Sequence, residues 1–125
     1  HPTYRRRVRL EHWSSALNQG PAAATNLLGG RTPYDKTPYF FSDQYDVGME
    51  YRGLAADPED VVIRGDTAGR ELLAFWLEGD RVVAAMNVNV WDQGDQLAEL
   101  VAERPAVDRR RLADPEVDLA RVAGA

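Results

Sequence analysis

Two apolar runs separated by Gly79 and Asp80 constrain this chain more than any other feature. One run covers residues 72–77 and the other residues 81–91. A Gly-Asp pair between two strand-like runs is a two-residue hairpin turn. In the second run Val82, Ala84, Met86, Val88 and Val90 point one way, while Val83, Ala85, Asn87 and Asn89 point the other. The two asparagines are expected to satisfy backbone groups. Val47, Met49 and Tyr51 alternate with Gly48, Glu50 and Arg52, which reads as a half-buried strand. Residues 61–64 form a short apolar strand after an acidic loop with Pro58. Residues 92–95 can cap a helix whose apolar face is Leu97, Leu100 and Val101, and Arg104 with Pro105 ends it. The tail carries Leu112, Val117 and Leu119 and suits a short last helix. The fold class expected is α+β, a small antiparallel sheet of about four strands with one or two helices.

The first thirty residues read differently. A short extended segment with Val8 and Leu10 leads to Glu11. From there Trp13, Ala16, Leu17, Gly20, Ala24, Leu27 and Leu28 recur at three- and four-residue steps, one face of a helix over residues 11–28. Small residues on that face suit a close approach to another backbone. Pro21 lacks an N–H and is expected to kink or restart the helix, and Gly29 with Gly30 stops it. A single Ala- and Gly-rich amphipathic helix cannot form a core alone. Its apolar stripe needs a partner, in the second part of the chain or in a larger protein. Residues 30–38, with Pro33 and Pro38, read as a connector.

Composition removes whole classes of chemistry. The chain has 125 residues and no cysteine, which excludes disulfides, thiolate metal sites and a cysteine nucleophile. Its two histidines, His1 and His12, are too few for a multi-histidine metal centre. No apolar run reaches the roughly 18 residues of a membrane span. Residues 1–36 hold six basic groups against two acidic ones, so +4 of the net −5 lies there and the remainder carries −9. An acidic body argues against nucleic acid as the main ligand. The cluster Arg5, Arg6, Arg7 and Arg9 reads as a solvated arm or a set of ion-pair partners. Asp43, Asp46, Glu50, Asp57, Glu59 and Asp60 read as a solvated acidic surface. No Gly-rich phosphate loop, nucleophile elbow or metalloprotease motif is present. Glu11, His12 and Trp13 set a carboxylate, an imidazole and an indole at a strand-to-helix junction. Helix N-termini attract electron-rich atoms through their free N–H groups. Capping and packing remain the simpler reading of that trio. Residues 38–45 pack four aromatics into eight positions, a block that suits a core or, where exposed, a stacking platform.

The string from Arg9 through Gly20, RLEHWSSALNQG, resembles one in the NAD(P)H- and FAD-dependent ferredoxin reductases. These flavoproteins include putidaredoxin reductase, the reductase components of aromatic-ring dioxygenases and, more distantly, apoptosis-inducing factor. Residues 39–44, YFFSDQ, look like the F-W-S-D-Q block that opens their C-terminal domain. Arg64-Gly65-Asp66, Phe75-Trp76-Leu77 and Asn87-Val88-Asn89-Val90-Trp91 match in order and spacing. The resemblance implies a C-terminal third: residues 1–30 end the FAD-binding domain, 31–37 connect, and 38–125 form the C-terminal domain. It implies a cytoplasmic parent enzyme that moves electrons from NAD(P)H through FAD to a ferredoxin-type iron–sulfur protein. Partners are that ferredoxin and the chain's own FAD and NAD domains. Glu11, His12, Trp13 and Phe41 are the implied cofactor-binding residues, with no catalytic acid or base. Many relatives carry Trp where Phe41 stands, so an indole N–H contact is missing here. The fragment alone is expected to be inactive and to self-associate through its helix. The competing expectation is a stand-alone, non-enzymatic interaction domain.

Overall fold

The computed structural model describes residues 1–57 and 60–123. It divides into two compact units, His1–Phe40 and Phe41–Ala125. Pro58 and Glu59, in the expected acidic loop, lie outside the described residues.

The first unit is built on α1 (Trp13–Leu27). Residues 7–12 before it form no strand, so Glu11, His12 and Trp13 stand at a coil-to-helix junction rather than at the end of a strand. Helix α1 runs through Pro21 as one element. Proline removes a single backbone bond, and the Thr25 hydroxyl donates to the Pro21 carbonyl at 3.0 Å in the next turn. The end is a Schellman motif. Gly30 N donates to Thr25 O at 3.0 Å and Gly29 N to Asn26 O at 3.1 Å, with Gly29 at φ 95°. The Asn26 side chain then holds Thr32 through both its amide and its carbonyl, at 2.9 and 3.0 Å. Among the described residues of α1, Ser15 alone is buried.

The second unit is organised on an antiparallel sheet, giving the expected α+β class. Five strands, not four, make it: β1 (Tyr39–Gln44), β2 (Val47–Gly53), β3 (Val61–Asp66), β4 (Glu71–Glu78) and β5 (Arg81–Val88), in the order β1-β2-β5-β4-β3. The additional strand is the aromatic block. Glu78 pairs with Arg81 across the Gly79–Asp80 turn, as a two-residue hairpin requires. One residue of β5 interrupts the ladder. Trp76 faces Ala84 and Leu77 faces Val82, so Val83 is bulged and the side-chain alternation changes phase there. Val82 and Ala85, expected on opposite faces, therefore join one core. That core holds Phe75, Leu73 and Leu77 from β4 and is covered by α2 (Gly94–Glu103) through Leu97, Leu100 and Val101. The expected cap from residues 92–95 does not form. Gln93 occupies the N-cap with no side-chain bond. Helix α3 (Arg109–Ala113), capped by Asp108, and a 3₁₀ turn at Leu119–Arg121, capped by Asp118, close the core with Leu112, Leu119 and Val122. No helix among the described residues is long and apolar enough to cross a membrane.

Arg64 joins this closing segment to β3, an edge strand. Its side chain is buried, at 7% exposure, and Nη2 donates to the carbonyls of Pro115 and Val117 at 3.2 and 2.7 Å. Burial lowers its pKa, while Asp114 and Asp118 push it back up. Asp43, Asp46 and Asp57 are exposed as expected, and three members of the acidic set form ion pairs. Glu50 is half-buried and pairs with Arg52 at 2.7 Å, Asp46 pairs with Arg70 at 3.0 Å, and Asp60 pairs with Arg109.

Candidate functional site

Three of the four implied site residues are consecutive at the start of α1. His12 is the N-cap, in an extended conformation, and no side chain caps the helix. The first intrahelical bond runs from Ala16 N to His12 O at 3.1 Å. The N–H groups of Trp13, Ser14 and Ser15 therefore have no partner within the helix. No acidic side chain lies in the first turn to offset the dipole. The arrangement leaves a small concentration of positive potential open to an electron-rich group.

The flanking side chains differ in how they are held. The His12 ring packs against Phe40, with centroids 4.6 Å apart and planes tilted by 44°. Its Nδ1 is buried without a hydrogen-bond partner. A buried imidazole nitrogen in that condition is costly unless a ligand or water meets it. Glu11 is exposed and pairs with Arg9 at 2.5 Å, a contact worth little in water. Trp13 leaves 71% of its surface exposed, unusual for an indole. Free helix N–H groups, an orphaned imidazole nitrogen and an open indole face suit the polar edge and flat face of a flavin ring.

Phe41 belongs to the other unit. It sits on the edge strand β1 and is 53% exposed, between half-buried Phe40 and Ser42. Tyr45, at the turn after β1, is fully exposed. The two asparagines of β5 divide in role. Asn89 meets the expectation: its Oδ1 accepts from Gly48 N at 2.9 Å and its Nδ2 donates to Asp46 O at 3.1 Å. Asn87 does not, because its Oδ1 accepts from the Arg52 guanidinium at 3.1 Å instead. That partner is 35 residues away in sequence and next to it only through the β2–β5 register. No group of three or more metal-ligating side chains exists among the described residues.

Comparison with known proteins accounts for this combination of sheet and helix. The family described as reductase C-terminal matches residues 39–123. The chain belongs to this family. As a reductase C-terminal domain it is 40% identical over 119 residues to the ferredoxin–NAD(+) reductase component of the anthranilate 1,2-dioxygenase system of Burkholderia cepacia, covering 94% of this chain and 29% of that protein. It is 34% identical over 123 residues to putidaredoxin reductase of Pseudomonas putida, covering 98% of this chain and 29% of that protein. The crystal structure of a covalent putidaredoxin reductase–putidaredoxin complex superposes with a TM-score of 0.79 at 30% identity, over 98% of this chain and 29% of that one. The chain thus spans less than a third of the length of these relatives. Phe41 falls inside the matched reductase C-terminal region, whereas Glu11, His12 and Trp13 precede it.

Proposed function

We propose that this chain is the C-terminal part of an FAD-dependent NAD(P)H:ferredoxin reductase, which passes electrons from NAD(P)H to a ferredoxin-type iron–sulfur protein. Residues 1–30 then complete the FAD-binding domain, 31–37 connect, and 38–125 are the reductase C-terminal domain. The observation that carries this reading is the bare N-terminus of α1 beside the orphaned His12 nitrogen, in a chain whose relatives are ferredoxin reductases. The covalent complex of one such relative with its ferredoxin supports the choice of partner.

The residues at the start of α1 fit a flavin, and Glu11, His12 and Trp13 would hold it there; Phe41 is the residue that the reductase C-terminal domain would contribute. When bound, that cofactor supplies the hydride and single-electron chemistry. The chain's own residues bind and orient. The N–H groups of Trp13, Ser14 and Ser15 stabilise negative charge at the helix terminus. The exposed indole of Trp13 would offer a flat apolar face to the ring. Glu11 would lie toward the nicotinamide side, as the family resemblance implies, and no group of this chain has to move a proton. Arg5, Arg6, Arg7 and Arg9 supply the positive charge that an acidic ferredoxin needs for steering, because the rest of the chain is acidic.

The test is made on the polypeptide that joins this chain to its upstream nucleotide-binding regions. It should carry flavin and reduce a ferredoxin with NADH or NADPH. Trp13→Ala should lower its flavin content. A flavin-free polypeptide, or one whose flavin is reduced by NAD(P)H but never by way of this domain passed to a ferredoxin, would overturn the proposal.

A further inference from the structure

We infer that Asn89, together with Trp91 over Gly48, is a positioning device that fixes the edge strand β1 and thereby sets the position of Phe41. The inference rests on the role proposed for Phe41 above. It starts from a mechanical problem. Strand β1 is an outer strand with β2 as its one neighbour in the sheet. Edge strands are the readiest to fray, because only one side of their ladder is bonded. Yet β1 carries the one proposed site residue of the second unit.

Asn89 lies just beyond the end of β5, the strand at the centre of the sheet. It binds the β1–β2 hairpin at three points: its backbone N–H to Gly48 O at 3.0 Å, its Oδ1 from Gly48 N at 2.9 Å, and its Nδ2 to Asp46 O at 3.1 Å. Both its side-chain groups are used, one on Asp46 in the turn that returns β1 into β2 and the other on Gly48 at the start of β2. Its backbone is left-handed, at φ 52°. Asparagine tolerates that region better than other non-glycine residues, so the conformation needed to aim the amide is available at small cost. Two residues on, the Trp91 indole covers Gly48. A Cβ there would lie 2.7 Å from the ring carbons Cη2 and Cζ2 and 2.8 Å from Asp43 Oδ1. A side chain at position 48 would run into both the indole and the Asp43 carboxylate, so glycine is the residue that fits there. Asp43 is two residues from Phe41 on the same strand, and therefore on the same face.

Hydrogen exchange on this chain tests the clamp without any assumption about function. Asn89→Gly relieves the left-handed backbone and removes both side-chain bonds, so its effect reads the amide rather than strain. Exchange at residues 41–48 should rise about tenfold or more, with amides of β3 and β4 unchanged. Asn89→Asp keeps the acceptor for Gly48 and should fall between the two. Unchanged exchange at residues 41–48 in Asn89→Gly would overturn the inference. Coupling to Phe41 is tested by a double-mutant cycle in the full-length reductase, reading the rate of ferredoxin reduction. Asn89→Gly should slow it several-fold with Phe41 present and add nothing in a Phe41→Ala background. Additive losses would mean that Asn89 acts elsewhere. If the unmutated reductase passes no electrons, the functional proposal fails, while the exchange result still decides the clamp.

Discussion

The two units bury their apolar residues to very different extents. In the second, apolar residues find counterparts within the chain: Phe75 is completely buried, and Leu97, Leu112 and Val122 join it in one core from three separate segments. In the first, α1 has an apolar stripe, yet Trp13, Leu17 and Leu27 on it and Leu28 at its C-cap stand exposed. An exposed stripe of this size is unusual on a finished surface and marks a face built to meet something. The same physics that makes the second unit self-sufficient makes the first incomplete, in keeping with the proposal that α1 belongs to a larger FAD-binding domain.

The sharpest way to break this comparison is to remove one side chain from each unit. Phe75→Ala should cost about 3–5 kcal/mol in denaturant unfolding of this chain, the range for a large aromatic in a core that cannot collapse around the cavity. Arg64→Met comes next. It leaves the Pro115 and Val117 carbonyls without their donor, and about 1–3 kcal/mol should be lost. Limited proteolysis should then cut within residues 108–123 before the sheet is attacked. Leu17→Ala should change the stability of this chain by no more than about 0.5 kcal/mol, since Leu17 is 59% exposed. In the longer polypeptide the same substitution should cost about 2–5 kcal/mol, the cost at a buried leucine. Equal costs in both settings would erase the distinction between the units.

The smallest effect concerns pH and is confined to the second unit. The backbone N–H groups of Arg111 and Arg110 hold the Asp108 carboxyl below its ordinary value of 3.8. A carboxyl depressed by folding contributes stability above its unfolded pKa and loses it as pH falls through the folded one. Asp108→Asn keeps an oxygen at the N-cap and removes the titration, so the acid limb of the stability curve should flatten. An unchanged limb would show that the cap charge is not felt.

Much of the fold was legible because it rests on local rules. The Gly79–Asp80 hairpin, the Gly29 stop and the Leu97, Leu100 and Val101 face each follow from turn chemistry or from one period. What was not legible depends on register. The bulge at Val83 is invisible until β4 and β5 are aligned. The pairing of Asn87 with Arg52 needs β2 beside β5. Strand β1 hid in an aromatic block whose residues suit a core as well as an edge. Pro21 does not restart the helix: α1 runs through it as one fifteen-residue element, with the Thr25 hydroxyl donating to the Pro21 carbonyl. In the candidate site, Glu11, His12 and Trp13 were readable as a helix start with unusual side chains. The positioning role of Asn89 was not, since it takes a left-handed backbone and two partners more than forty residues away.

The central claim, that this chain holds only a portion of a flavin site, has a direct measurement. The chain is mixed with excess FAD, passed through a desalting column, and the flavin absorbance of the protein fraction is read. The account predicts protein without flavin, since the helix terminus and two exposed aromatics give orientation but too few contacts for retention. Stoichiometric flavin in the protein fraction would contradict it and make the chain a complete flavin-binding protein.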